Sequence, residues 1–249
     1  MTKASRVCLM RIVLIGLVCP AALVYAQQRP PIADQIAKVH GLESWGQVEA
    51  IRYTFNIDAG PAFKLSRSWV WEPKKDQITY DGKDKAGNPV TVTYSRSQLA
   101  SQSDIVKTEI DPAFFNDQYN LLLPFHLVWD TSATIEDAGM QKLPLGKGSA
   151  QKIVVKYPSE GGYTPGDTWN VFVGGDGVIK ELYFQRGGSV KPSVFIAAFA
   201  DYRKAGPLVV AMDHRGTADR KPARVFFTNV AVKLVGSDTW IEAQQLPTG

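Results

Sequence analysis

Cysteine is almost absent from this chain of 249 residues, and the two present, Cys8 and Cys19, both lie within the first 26 positions. Histidine is nearly as scarce, with three residues, His40, His126 and His214, spaced far apart. No pair of them has the H-E-x-x-H spacing that holds zinc from one helix face. No serine sits in a G-x-S-x-G elbow, and Gly148-Ser149 reads as a glycine-rich turn. Asp213-His214 has the residue types of part of a nucleophile relay, but no third member, so catalytic and metal-ligating residues are expected to be none. Gly161-Gly162 and Gly187-Gly188 are expected to be loop turns, because no strand-to-helix step follows them as a phosphate cradle requires. Nothing in the sequence implies a cofactor.

No apolar run is long enough to span a bilayer. The longest, Ile12 to Val24, falls short of the roughly 20 residues a transmembrane helix needs. It follows Lys3, Arg6 and Arg11 and precedes Val24-Tyr25-Ala26, the order of a secretory signal peptide with cleavage after Ala26. Lipidation at Cys19 is the rival reading, disfavoured by Val18, where a small residue is wanted immediately before the cysteine. Removing residues 1–26 takes away three basic and no acidic residues, so net charge falls from +4 to +1. A chain so close to neutral lacks the basic face of a nucleic-acid binder. It would also carry no thiol, which excludes cysteine nucleophiles, disulfides and thiolate metal sites. The expectation is a periplasmic or secreted protein.

What the sequence does have is alternation. Residues 27–249 contain no linker or charge block, so a single domain is expected, with Gln27 to Pro31 as a tether and Gln244 to Gly249 as a tail. Ile51, Tyr53, Phe55 and Ile57 share one strand face, and Phe63, Leu65, Trp69 and Trp71 another. Ile78 with Tyr80 and Val90 with Val92 and Tyr94 repeat the period. Further strands are expected over 153–157, 168–173, 178–185, 194–203, 208–214 and 225–234. Gly174-Gly175-Asp176-Gly177 marks a hairpin. Two helices interrupt this pattern. One runs over 32–40, with Ile32, Ile36 and Val39 on one face and Gly41 as its stop. The other begins at Asp111 as cap, carries Phe115, Tyr119 and Leu122, and ends at Pro124, after a weaker helical or irregular stretch over 97–109.

Several segments resemble pieces of a known group. These are His40-Gly41 followed by Trp45; Tyr119-Asn120-Leu121-Leu122-Leu123-Pro124-Phe125-His126-Leu127; Thr164-Pro165-Gly166-Asp167-Thr168-Trp169; and Asp201-Tyr202-Arg203-Lys204-Ala205-Gly206-Pro207-Leu208. Together with the order helix, strands, helix, strands they are similar to the half-barrel of the bacterial lipoprotein carriers LolA and LolB, nearest to a poorly characterised secreted branch. Pro207 departs from the glycine common there. The resemblance implies an α+β, mainly antiparallel fold: a curved half-barrel sheet with an N-terminal helix and a central lid or plug helix on its concave face. It also implies a non-catalytic binder or carrier of a lipid or of a lipoprotein's acyl chain. Its partners would be a hydrophobic small molecule or a lipidated protein, with transient contacts to membrane proteins and a monomeric state. The helix from Asp111 to Leu123 and its exit through Phe125 and Trp129 would act as lid. Two other classes stay open: an envelope protein-interaction module, and a hydrolase whose residues converge only in three dimensions.

On this reading Phe63, Leu65, Trp69, Trp71, Phe115, Tyr119 and Leu122 line the ligand cavity, although aromatic alternation of this kind is also ordinary core. Arg67 breaks the pattern, because alternation puts it on the face of Leu65 and Trp69, where an unpaired charge is costly. Its partner would be a carboxylate, helix-end carbonyls or the polar head of an acyl ligand, unless a bulge or edge position turns it to solvent.

Overall fold

The computed structural model describes residues 29–61 and 63–246; residues 1–26, expected to be a signal peptide, and Cys19 among them, lie outside the described residues. Helix α1 (Pro31–Val39) precedes four strands, β1 (Val48–Asp58), β2 (Lys64–Glu72), β3 (Gln77–Lys83) and β4 (Pro89–Tyr94). A 3-10 stretch (Arg96–Ser101) and a π-helical turn (Val106–Ile110) lead into α2 (Asp111–Trp129). Then come β5 (Thr134–Lys142), β6 (Ser149–Lys156), β7 (Thr168–Val173) and β8 (Ile179–Gln185). The long strands β9 (Val194–Ala205), β10 (Leu208–Ala218) and β11 (Lys221–Leu234) follow, with short β12 (Trp240–Glu242) and β13 (Gln244–Gln245) last. Among the described residues no helix is long and apolar enough to cross a membrane.

All the strands join one antiparallel sheet, in the order β4-β3-β2-β1-β11-β10-β9-β8-β7-β6-β5, with β12 beside β11 and β13 beside β9. Two meanders are thus sewn together by the β1–β11 pair, in which Phe55 faces Phe227. The sheet is open, and it is strongly curved. Arg67 and Trp69 on β2 bond Asp117 of α2, while Tyr157, just beyond β6, bonds Tyr119 two residues along the same helix. β2 and β6 lie seven places apart. In a flat sheet with strands about 4.8 Å apart they would be separated by roughly 34 Å, more than one helix can bridge. The bend coincides with extra residues in the central strands. Asn229 in β11 and Asp201 in β9 have φ of 54° and 52°, and the β1–β11 register slips opposite Tyr53. Such bulges sharpen strand twist.

Helix α2 lies inside this curl as a plug. Phe114, Leu121, Leu122 and Phe125 face the core built on β1 to β4, β10 and β11, while Tyr119, Leu123 and Leu127 face a second cluster formed with Ala33 and Ile36 of α1 and β6 to β9. A helix apolar on nearly every side belongs in an interior.

Three expectations are corrected here. Pro124 does not end α2: the helix kinks at Leu122 (φ −111°, ψ 24°) and continues to Trp129. The N–H that Pro124 lacks costs a bond. Burial of Phe125 and Leu127, and bonds from His126 to Gln118 (3.0 Å) and Asp130 (3.1 Å), hold the second segment helical. Asp111 is not a cap, since Ile110 before it is already helical and the buried carboxylate takes bonds from other elements. The helix exit is core rather than lid, because Phe125 and Trp129 edge against Trp45 at 5.7 and 5.1 Å. Strand β5 was not foreseen. Beyond Ile135 it has no buried residue, and Gly139 breaks its register with β6.

The segments His40-Gly41 and Gly206-Pro207 meet in space. Val209 N–H donates to the His40 carbonyl (3.0 Å), and Gly41 has φ 95°, with the place of a Cβ only 2.3 Å from the Pro207 carbonyl oxygen. Gly41→Ala therefore combines left-handed strain with a backbone clash, and it is expected to lower stability by about 2 kcal/mol. Thermal denaturation checks this; an unchanged midpoint would show that the junction relaxes freely.

Candidate ligand cavity

Small side chains open a space at one end of the half-barrel. On the concave face, large residues such as Tyr53 and Phe227 fill the middle of the sheet, but Ala218 near the end of β10 and Ala223 near the start of β11 do not. The result is a cavity of about 990 Å³. Its sheet wall includes Phe55, Ile57, Val225, Phe195, Phe184 and Trp169, drawn from β1, β11, β9, β8 and β7. Its helical wall is the first half of α2, with Phe115, Asn116, Tyr119 and Asn120. Two loops form the rim, and they touch: Gly187 N–H donates to Asp167 Oδ1 at 2.8 Å, and a Cβ on Gly187 would lie 2.2 Å from the Gly166 carbonyl carbon. Gly161-Gly162 and Gly187-Gly188 both lie in bends of these loops, with positive φ at Gly161, Gly162 and Gly188. Burial pushes the Asp167 carboxyl up, against the pull of the Gly187 N–H and of the Arg186 charge.

The helical wall is fixed by three polar clusters. Asp117, fully buried, accepts two bonds from Arg67 (2.8 and 2.6 Å), one from Trp69 Nε1 (2.9 Å) and one from Asn116 (3.0 Å). Burial pushes its carboxyl up to about 6 although every one of these donors favours the anion. Asp111 accepts from Tyr94 Oη (2.9 Å) and from Tyr163 Oη and pairs with Arg96 (3.0 Å). Tyr163 stacks on Phe115, ring centres 4.9 Å apart, which ties the rim loop to the helix. Deeper in, Tyr119 Oη bonds Tyr157 Oη (2.8 Å), and Tyr157 donates to Asp130. Together these fasten α2 to strands on both arms of the sheet.

Of the seven residues expected to line a cavity, Phe63, Phe115 and Tyr119 do. Trp69 and Trp71 instead edge against Phe114 at 5.4 and 5.6 Å, and Leu122 is buried in the same core. Leu65 packs, half-buried, on that cluster. Arg67 sits in an unbroken β1–β2 register opposite Phe55, so no bulge turns it outward; its partner is the Asp117 carboxylate. Asp213 and His214 point to opposite faces of β10: Asp213 pairs with Arg215 and Arg224 outside, while His214 is buried. Among the described residues no three His, Cys, Asp or Glu gather to hold a metal ion.

The fold defines the chain's class, an open antiparallel half-barrel on a plug helix, as expected from the sequence, and a cavity lies at one mouth of it. No family model matches this chain, and no curated protein does. Two solved structures are similar to it. One is a DUF1329 family protein from Desulfovibrio piger, with TM-score 0.46 and 10% identity over 84% of this chain and 94% of that one. The other is a LolA superfamily protein from Nitrosomonas europaea, with TM-score 0.42 and 6% identity over 87% of this chain and 94% of that one.

Proposed function

We propose that this chain is an exported, non-catalytic binder or carrier of a hydrophobic ligand, a lipid or an acyl chain, working as a monomer in the periplasm or outside the cell. The observation that carries the reading is the cavity of about 990 Å³ with aromatic and aliphatic walls from six strands and α2. Binding sites for small apolar molecules have this size and lining. Each methylene moved from water into such walls contributes roughly 0.8 kcal/mol, so a chain of about ten gains about 8 kcal/mol before the cost of association.

Organic extraction of the purified protein followed by mass spectrometry is expected to recover a lipid, and the delipidated protein is expected to bind a fluorescent fatty acid. Ala223→Trp places an indole in the space and is expected to weaken that binding at least about tenfold, without loss of thermal stability, since it fills a void. Recovery of no lipid together with no probe binding would overturn the proposal.

A further inference from the structure

Nine arginines lie among the described residues, and seven of them are ion-paired. The two that are not, Arg186 and Arg220, stand at the same mouth of the half-barrel. Arg186 lines the large cavity; Arg220 lines a second cavity of about 640 Å³; Lys191, also without an ion pair among the described residues, lines both, as does Ser193. Two carboxylates line the same cavities, Asp219 beside Arg220 and Asp167 close enough to Arg186 to feel its charge, and both also take backbone donors. Asp219 Oδ1 accepts from Val194 N–H (2.8 Å), and Asp167 from Gly187 N–H.

Arg220 also occupies a backbone position that disfavours it. Asp219 and Arg220 form the two-residue turn between β10 and β11, with φ of 49° and 71°. Glycine is the residue such a turn prefers at its second position, because a side chain strains the left-handed conformation. The arginine thus keeps a charge at the wall of the second cavity at the expense of the turn.

Arg186 stands on the concave side at this end of the sheet, Arg220 at a cavity on the outer face, where Tyr183, Ile196 and Thr217 point, and Lys191 lines both. Three cations outside any ion pair among the described residues, beside only Asp167 and Asp219, leave a net positive rim suited to an anion. We propose that the ligand is an amphiphile with a phosphate or carboxylate head, its chain in the large cavity and its head between Arg186, Lys191 and Arg220. This rests on the reading that the large cavity takes a hydrophobic ligand. Guanidinium and ammonium groups bind such oxyanions through charge-assisted hydrogen bonds, strongest where the surroundings are apolar.

The test titrates the delipidated full-length mature protein with dodecyl phosphate, with dodecanol and with inorganic phosphate, by calorimetry at low ionic strength. Dodecyl phosphate is expected to bind about tenfold or more tighter than dodecanol, a margin that shrinks as salt is added. In the variant R186Q/K191Q/R220G, whose glycine suits the turn, that margin is expected to vanish while dodecanol binds as before. Equal affinities in the unmodified protein, or a margin that survives in the variant, would overturn the inference and leave the apolar cavity standing. Inorganic phosphate binding as tightly as dodecyl phosphate would overturn it in favour of a free-anion site. Failure of both chain-bearing probes would instead overturn the proposed function and take this inference with it.

Discussion

Asp117→Ala is expected to lower the unfolding free energy by about 3 to 5 kcal/mol, the largest loss from any single truncation in the plug helix. Its side chain is fully buried and takes four bonds, so its removal strands Arg67 beneath α2 beside the ring of Phe55. A guanidinium cannot shed its proton to escape such a site. The reverse change is milder for a chemical reason. With Arg67→Met, the carboxyl left behind can take up a proton, and burial already pushes it up to about 6 with the arginine present. Arg67→Met is therefore expected to cost less than Asp117→Ala at neutral pH and less again at pH 5. The double variant R67M/D117L, which removes both charges, is expected to recover most of the loss. Urea denaturation followed by tryptophan fluorescence checks all three. Equal costs for the two single variants at both pH values would show that the pair is not acting as a buried ion pair.

The same pair shows how far the sequence could be read. Arg67 on the face of Leu65 and Trp69 announces that a partner is needed, because period-two alternation is local. The partner comes from 50 residues away, and an aspartate inside a helix carries no mark of burial. The strands with alternating faces were legible, and so was the hairpin at Gly174 to Gly177, where Gly177 N–H bonds the Gly174 carbonyl at 2.9 Å. Strand β5 was not, because an edge strand with one buried residue has no alternation to show. The aromatic positions identified the concave face without saying which end of it is packed. Trp69 and Trp71 meet Phe114, while Phe63 and Phe115 line the cavity. What makes the difference is Ala218 and Ala223, ordinary residues in sequence, whose effect arises only when β10 and β11 lie side by side across from α2. The cationic rim escaped for a like reason: Arg186, Lys191 and Arg220 belong to two loops joined only by the sheet.

His214 makes acid the second strong test of the fold. The ring is buried in β10, stacked on Phe199 with centres 3.7 Å apart and edged by Phe227 at 5.6 Å, and neither ring nitrogen makes a well-formed hydrogen bond among the described residues. Burial pulls its pKa down to about 3, although Asp213 and the nearby Ala211 backbone act to raise it. A folded pKa below the unfolded one means stability is fully present above about 6.5 and is lost as pH falls toward 3. At about 1.4 kcal/mol per pH unit the whole loss approaches 5 kcal/mol. Asp117 works the other way. Its raised folded pKa favours the native state as pH falls from about 6 to about 3.8, so over that window the two groups nearly cancel, and the loss from His214 emerges below it. His214→Phe, which keeps a ring on Phe199 and removes the proton site, separates them. Because Asp117 titrates identically in both proteins, the stability difference between variant and parent is expected to move in the variant's favour by about 3 kcal/mol from pH 7 to pH 4. Denaturation curves that stay parallel across that range would mean that the buried imidazole accepts its proton without leaving the core.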